Sequence, residues 1–244
     1  MTRFVILAVP RTGSNLLCTL LNSHPQILCH HEVFNPQGVF TALDYRGQGL
    51  AVESLRQRDH DPLGFLDRVW QTGTDDTCVG FKWTRGQNQD VLKSVLEDTG
   101  VKKLVLRRRN RIKTYVSERI AQETQQWEVY SREELTMPRP RIHVDAVDLL
   151  QHIASNQHFY TEVSAAVKPS SQPHLELEYE TLFDRRVQIR MFEFLAVCSP
   201  EIPPIAASVK QNSNDLQDTI ANFDELAECL PDSDLINELF DRGM

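Results

Sequence analysis

Apolar residues follow two rhythms along this chain. Short continuous runs recur at Phe4-Val5-Ile6-Leu7-Ala8-Val9, Ile27-Leu28-Cys29, Cys78-Val79-Gly80-Phe81-Lys82-Trp83 and Lys102-Lys103-Leu104-Val105-Leu106-Arg107, and His174 to Tyr179 alternates. Runs of this length read as strands, the continuous ones as strands covered on both faces. Between them the spacing is helical. Ser14 to Leu21 forms one such stretch, stopped by Ser23-His24-Pro25. Pro62 to Gln71 is a second, with Asp61 as N-cap and Pro62 at the first helical position. Asn88 to Glu97 places Val91, Leu92, Val95 and Leu96 on one side and is closed by Gly100. Ile112 to Trp127, Asp145 to Val167 and Asp184 to Val197 follow, and two short helical patterns close the tail around Phe223 to Leu226 and Leu235 to Phe240. Residues 37–61 show no clear period and read as a loop over the surface or toward a substrate.

The alternation predicts an α/β fold: a P-loop-like central parallel sheet with helices on both faces, in one domain spanning residues 1–244. Such sheets bind ligands at the carboxyl ends of their strands. The turns at 10–15, 30–36, 83–88 and 107–117 are therefore the places to look for chemistry.

Bulk properties narrow the function classes. The chain has 244 residues, 41% hydrophobic and 25% charged, with a net charge of −8. An acidic total argues against a general nucleic-acid binder. Positive charge is instead gathered at Lys102-Lys103 and Arg107 to Arg111, which suits one small anionic ligand. Five cysteines without a CxxC pair argue against a disulfide framework or a zinc site and for reduced thiols in the cytoplasm. No apolar run reaches membrane-spanning length, and no signal region opens the chain.

Pro10-Arg11-Thr12-Gly13-Ser14-Asn15-Leu16-Leu17 joins the first strand to the first helix. Gly13 permits close backbone approach, the helix start presents N–H groups, and Arg11, Thr12 and Ser14 add a charge and hydroxyls. The turn fits an anion site and, equally, a well-capped bend in which Thr12 or Ser14 satisfies the helix. It is not a Walker loop: no lysine follows Gly13, and no glycine stands five before it. Arg107-Arg108-Arg109-Asn110 then ends a buried strand, with Ser117 two turns into the next helix. Arg109 and Ser117 form a second anion candidate, whereas Arg108 and Arg111 read as solvated basic edge. Two such sites on parallel strands point to a ligand phosphorylated at two separated places.

These motifs resemble those of the sulfotransferases that use 3′-phosphoadenosine 5′-phosphosulfate (PAPS), in particular the bacterial carbohydrate and lipid branch. Residues 10–17 are similar to the family's 5′-phosphosulfate loop, and Arg109 with Ser117, eight apart, to its 3′-phosphate site. Tyr179-Glu180-Thr181-Leu182 and Lys210-Gln211 before Ile220 to Leu226 resemble later recurrent segments, and His31-Glu32-Val33-Phe34 the branch's glutamate segment. Many relatives carry lysine where Arg11 stands, and proline where Arg111 stands.

The resemblance implies sulfonate transfer from PAPS, leaving the 3′,5′-bisphosphate PAP, to a hydroxyl of a carbohydrate, glycolipid or small natural product, with no metal. Arg11 would act by charge, with Thr12, Gly13, Ser14, Asn15 and Leu16 holding the donor. Glu32 would be the general base, its pKa raised by burial beside Val33 and Phe34. His31 and His30 are its rivals. Lys82 reads as a site residue or, equally, a strand-end surface charge. Gln122, Thr124 and Trp127 are candidate acceptor contacts, with Trp127 favoured as core. A small P-loop kinase and a non-catalytic nucleotide-binding scaffold are the alternatives. The oligomeric state, a homodimer included, is left open.

Overall fold

The computed structural model describes residues 1–52, 54–74, 77–167 and 172–243. Among these, five strands form one parallel sheet: β1 (Thr2–Ala8), β2 (Ile27–His30), β3 (Cys78–Thr84), β4 (Val101–Arg107) and β5 (His174–Glu178), in spatial order β2-β3-β1-β4-β5. β1 lies at the centre. The chain leaves it toward one edge, then crosses back after β3 to the other side, and ligands bind at such a reversal. Register aligns the carboxyl ends: Ala8 faces Thr84, and Leu7 faces both Trp83 and Val105.

Side chains alternate along β1 into two cores, as a period of two demands. Val5 and Leu7 join Phe81 and Trp83 under α3 (Pro62–Trp70), α4 (Gln89–Glu97) and α6 (Ala146–Val167). Phe4 and Ile6 join Leu104 and Leu106 under α1 (Ser14–Asn22) and α7 (Arg185–Leu195). A third cluster packs α5 (Arg111–Thr124) against α6, α8 (Phe223–Cys229) and α9 (Ser233–Phe240) through Ile112, Val116, Leu149, Phe223 and Leu235. The expected parallel α/β sheet covered on both faces is present.

Two local differences matter. α5 stops at Thr124 rather than Trp127, because Gln125 turns left-handed (φ 55°). That frees residues 125–129 to cross the sheet's carboxyl edge. The stretch 37–61 is more ordered than its composition predicts. It holds α2 (Leu55–His60), opened by a Ser54/Gln57 capping box. Buried Arg58 on α2 donates to the carbonyls of Val33, Asn35 and Gly38 at 3.1, 2.7 and 3.1 Å. Its guanidinium thereby fixes the turn that follows Glu32. Among the described residues no helix is long and apolar enough to cross a membrane.

Candidate active site

The turn after β1 is built by two left-handed residues, Arg11 (φ 64°) and Gly13 (φ 88°). Thr12 spends its hydroxyl on the Val9 carbonyl at 2.9 Å, so it braces the turn rather than the helix. Gly13 is the N-cap of α1 and gives no side-chain bond. The first N–H groups of α1 are therefore left facing the space above the sheet, where an anion would satisfy them. A Cβ on Gly13 would meet the Tyr179 ring at 2.3 Å, so the ring closes directly over this turn.

That space is a cavity of about 930 Å³ at the carboxyl edge of the sheet, at the upper end of the range for small-molecule sites. Residues 10–11 and 13–16, the end of β3, the inner side of α5, residues 124–129 and the tail segment 208–213 line it.

At one end of the cavity stands Glu32. Its Oε1 accepts from Lys82 Nζ at 2.8 Å and its Oε2 from Asn35 Nδ2 at 2.6 Å. Lys82 is buried and also donates to Asn15 Oδ1. Burial pushes the Glu32 carboxyl up, but the Lys82 charge and hydrogen bonds from Lys82, Asn35 and Gln87 outweigh it. The group is held below the usual carboxylate range, opposite to the rise that burial beside Val33 and Phe34 alone predicts.

The two histidines differ. His30 Nδ1 accepts from the Ala42 N–H at 3.2 Å. Its Nε2 lies 2.9 Å from Thr72 Oγ1, whose own hydrogen goes to the Val69 carbonyl. Both ring nitrogens are engaged, and His30 is a brace, its pKa lowered by burial to about 4. His31 lines the cavity. Because Lys82 can only donate, Asn15 presents an acceptor oxygen, and His31 Nδ1 at 3.3 Å carries its hydrogen toward it. His31 Nε2 is then a lone pair, buried and without a hydrogen-bond partner. Burial first, then the charges of Lys82 and Arg46, hold this ring well below its ordinary pKa.

The other end is cationic. Arg11 reaches across the cavity: Nε donates to Ser117 Oγ at 3.0 Å, and the guanidinium also meets Gln211 Oε1 at 3.1 Å and the Trp127 carbonyl. Burial, then Arg108 and Arg139, lower its pKa to about 10. Arg108 lies over the Tyr179 ring at 4.8 Å and donates to the Arg11 carbonyl at 3.3 Å, yet its buried Nε has no partner. Lys113 lines the cavity beside Ser117. Arg109 does not. Its side chain is 62% exposed and paired with Glu178. Arg111 is likewise engaged, with Glu238.

The structure thus brings together Arg11, Gly13, Ser14, Asn15, Leu16, Glu32 and Ser117 around one cavity and leaves the Arg109 side chain outside it. No family model matches the chain. It is 27% identical to nodulation protein H of Rhizobium meliloti (strain 1021) over 230 residues, covering 91% of this chain and 89% of the relative. It is 26% identical to nodulation protein H of Rhizobium tropici over 227 residues, covering 91% and 87%. Solved sulfotransferases give a distant likeness. The Alicyclobacillus acidocaldarius enzyme has 18% identity and a TM-score of 0.46, covering 98% of this chain and 95% of that one. The sulfotransferase domain of the Synechococcus PCC 7002 olefin synthase has 18% identity and a TM-score of 0.45, covering 98% and 93%. Mouse sulfotransferase SULT7A1 complexed with PAP has 10% identity and a TM-score of 0.44, covering 96% and 74%.

Three residues of the chain stand closer to the cavity than their sequence context suggests. Lys82 is buried against Glu32 instead of forming a surface charge at a strand end. The available signal was a lone lysine inside an otherwise apolar run, which stays buried only with a partner. Arg108 faces inward instead of forming solvated edge, because consecutive residues leaving a strand point to opposite sides. Trp127 is half-exposed on the cavity wall, not core, since α5 has already ended.

Proposed function

We propose that this protein is a sulfotransferase and carries a sulfonate from PAPS to a hydroxyl of a carbohydrate, glycolipid or other small natural product. The observation that carries this reading is one cavity with two separated anion-ready ends. The uncapped start of α1 is one end; Arg108 after β4, with Ser117 and Lys113 on α5, forms the other, where Lys113 now holds the Gly243 carbonyl at 2.6 Å and Asp241 at 3.5 Å. The residues fit a nucleotide phosphorylated at both positions. Arg108 holds a buried N–H with nothing to donate to, and the start of α1 carries no side-chain cap.

When bound, the donor supplies an activated sulfonate on a phosphate leaving group. The N–H groups of Ser14, Asn15 and Leu16 hold and orient its 5′ end, and Arg11 contributes charge. Arg108, Lys113 and Ser117 hold the 3′-phosphate, with Arg109 a second cation at the rim. Glu32 takes the proton of the acceptor hydroxyl. Acceptor contacts fall to Asn35, Gln37, Phe40, Gln125, Gln126 and Trp127, amide and aromatic side chains of the kind that hydrogen-bond and stack on hydroxylated rings. The free thiols of Cys18, Cys29 and Cys78 suit a reducing, cytoplasmic compartment.

His31 favours a second assignment of the base, because its unpartnered Nε2 is the one nitrogen there with a free lone pair. Replacement separates the two: Glu32→Gln abolishes transfer if the carboxylate is the base, and His31→Gln does so if the ring is. Thermal-shift titration tests the donor. Adenosine 3′,5′-bisphosphate stabilises the protein without magnesium. Stabilisation by ATP with magnesium alone would overturn the reading in favour of a kinase.

A further inference from the structure

Lys82 is the residue whose position asks most of the chemistry. It projects from the end of β3 with its ammonium between two groups on different elements: Glu32 Oε1 at 2.8 Å, after β2, and Asn15 Oδ1, in the first turn of α1. It is 4% exposed, lines the cavity, and lies beside the N–H groups assigned to the donor's 5′ end. Arg11 comes from the neighbouring loop, but its guanidinium is directed the other way, to Ser117 and Gln211. The cation nearest both α1's start and Glu32 is therefore Lys82.

We propose that Lys82 moves onto the sulfonate when the donor binds, and that its departure from Glu32 turns that carboxylate into a working base. This rests on the PAPS reading above. Paired with Lys82, a carboxylate is well stabilised and a poor proton acceptor. Drawn to a sulfonate a short swing away, the ammonium leaves Glu32 buried with the amides of Asn35 and Gln87, where burial favours taking a proton. Lys82 then neutralises charge on the transferring group. In the transfer the acceptor oxygen forms the new S–O bond, the bridging S–O bond breaks, its electron pair stays on the 5′-phosphate oxygen, and the acceptor proton goes to Glu32. A base armed only by donor also keeps the empty enzyme inert.

The test compares two ligands that differ by the sulfonate. Binding of PAPS, without acceptor, and of adenosine 3′,5′-bisphosphate is measured by calorimetry on wild type, Lys82→Met, Glu32→Gln and the double variant. Lys82→Met weakens PAPS by about tenfold or more, the loss of a charge-assisted bond, and leaves the bisphosphate nearly unchanged. Glu32→Gln, which frees Lys82, tightens PAPS relative to the bisphosphate, and the gain disappears in the double variant. Equal weakening of both ligands by Lys82→Met, or a Glu32→Gln gain that persists without Lys82, overturns the proposal while leaving the donor reading intact. Binding of neither ligand by wild type overturns both. Should Lys82→Met not fold, the Glu32→Gln arm decides alone: no gain in PAPS over bisphosphate rejects the idea.

Discussion

The two ends of the cavity are built on opposite principles. Around Glu32 the charged groups are paired, Lys82 with Glu32 and Asn15, and Asn35 with Glu32, while His31 Nε2 keeps its lone pair. Around Ser117 cations crowd together: burial and then Arg108 lower the readiness of Arg11 to hold charge, burial lowers that of Arg108, and Arg108 keeps an orphaned N–H. A paired network is at rest without ligand. A crowd of like charges is not, because each cation gains when an anion arrives. On the proposed function, the cationic end supplies binding energy and the paired end the chemistry.

The largest expected effect breaks the paired end. Glu32→Gln keeps the shape and the hydrogen bond from Asn35 but removes the proton acceptor. Turnover in a labelled-donor assay falls by about 10²–10⁴-fold, the range for a lost general base. Bisphosphate binding, measured by thermal shift, stays close to wild type. Unchanged turnover hands the role to His31. The next effect breaks the cationic end. Arg108→Ala weakens bisphosphate by about 10–100-fold, a charge-assisted hydrogen bond's worth, and by much less an adenosine compound lacking the 3′-phosphate. Equal weakening of the two compounds rejects Arg108 as the 3′-phosphate ligand.

The same contrast explains what the sequence disclosed. The sheet was legible because β1, β3 and β4 are largely buried on both faces and so carry mostly apolar runs, Phe4 to Val9 being the plainest. The first anion turn was legible because a bend after a strand needs Gly13, and the glycine shows. The inner ends of Lys82 and Arg108 were not. Direction at a strand end depends on one residue of register, and a lone buried charge is betrayed only by its partner, Glu32, fifty residues earlier in the chain. Arg58 is the same case: its carbonyl partners are invisible in a side-chain alphabet.

A third prediction concerns the brace behind the paired end. The folded protein keeps His30 neutral, with a pKa lowered by burial to about 4 against an ordinary 6.5. Between these values the unfolded chain binds a proton that the folded one does not, so stability rises with pH there. The contribution is fully present above pH 6.5 and is lost as pH falls toward 4. Its size is on the order of 3 kcal/mol. Urea melts at stepped pH show a decline over this window, and His30→Gln, less stable at neutral pH, shows a shallower one. An undiminished slope in the variant removes His30 as its source.

The smallest effect is expected at Arg109, and it sharpens the comparison by holding the sequence neighbourhood fixed. Arg108 and Arg109 leave the same strand. One turns under Tyr179 into the cavity; the other turns out to Glu178, its backbone N–H held by Glu180 at 3.1 Å. An exposed ion pair is screened by water and salt and holds a distant phosphate weakly. Arg109→Ala is therefore expected to weaken bisphosphate only slightly, with a larger change at low ionic strength than at high, while Arg108→Ala stays severe at both. Calorimetric titrations of the two variants at two salt concentrations give the answer. A loss at Arg109 as large as that at Arg108, and insensitive to salt, means that the Arg109 side chain leaves Glu178 and turns inward on the nucleotide. The 3′-phosphate would then be held by the arginine that the Arg–Ser spacing nominates.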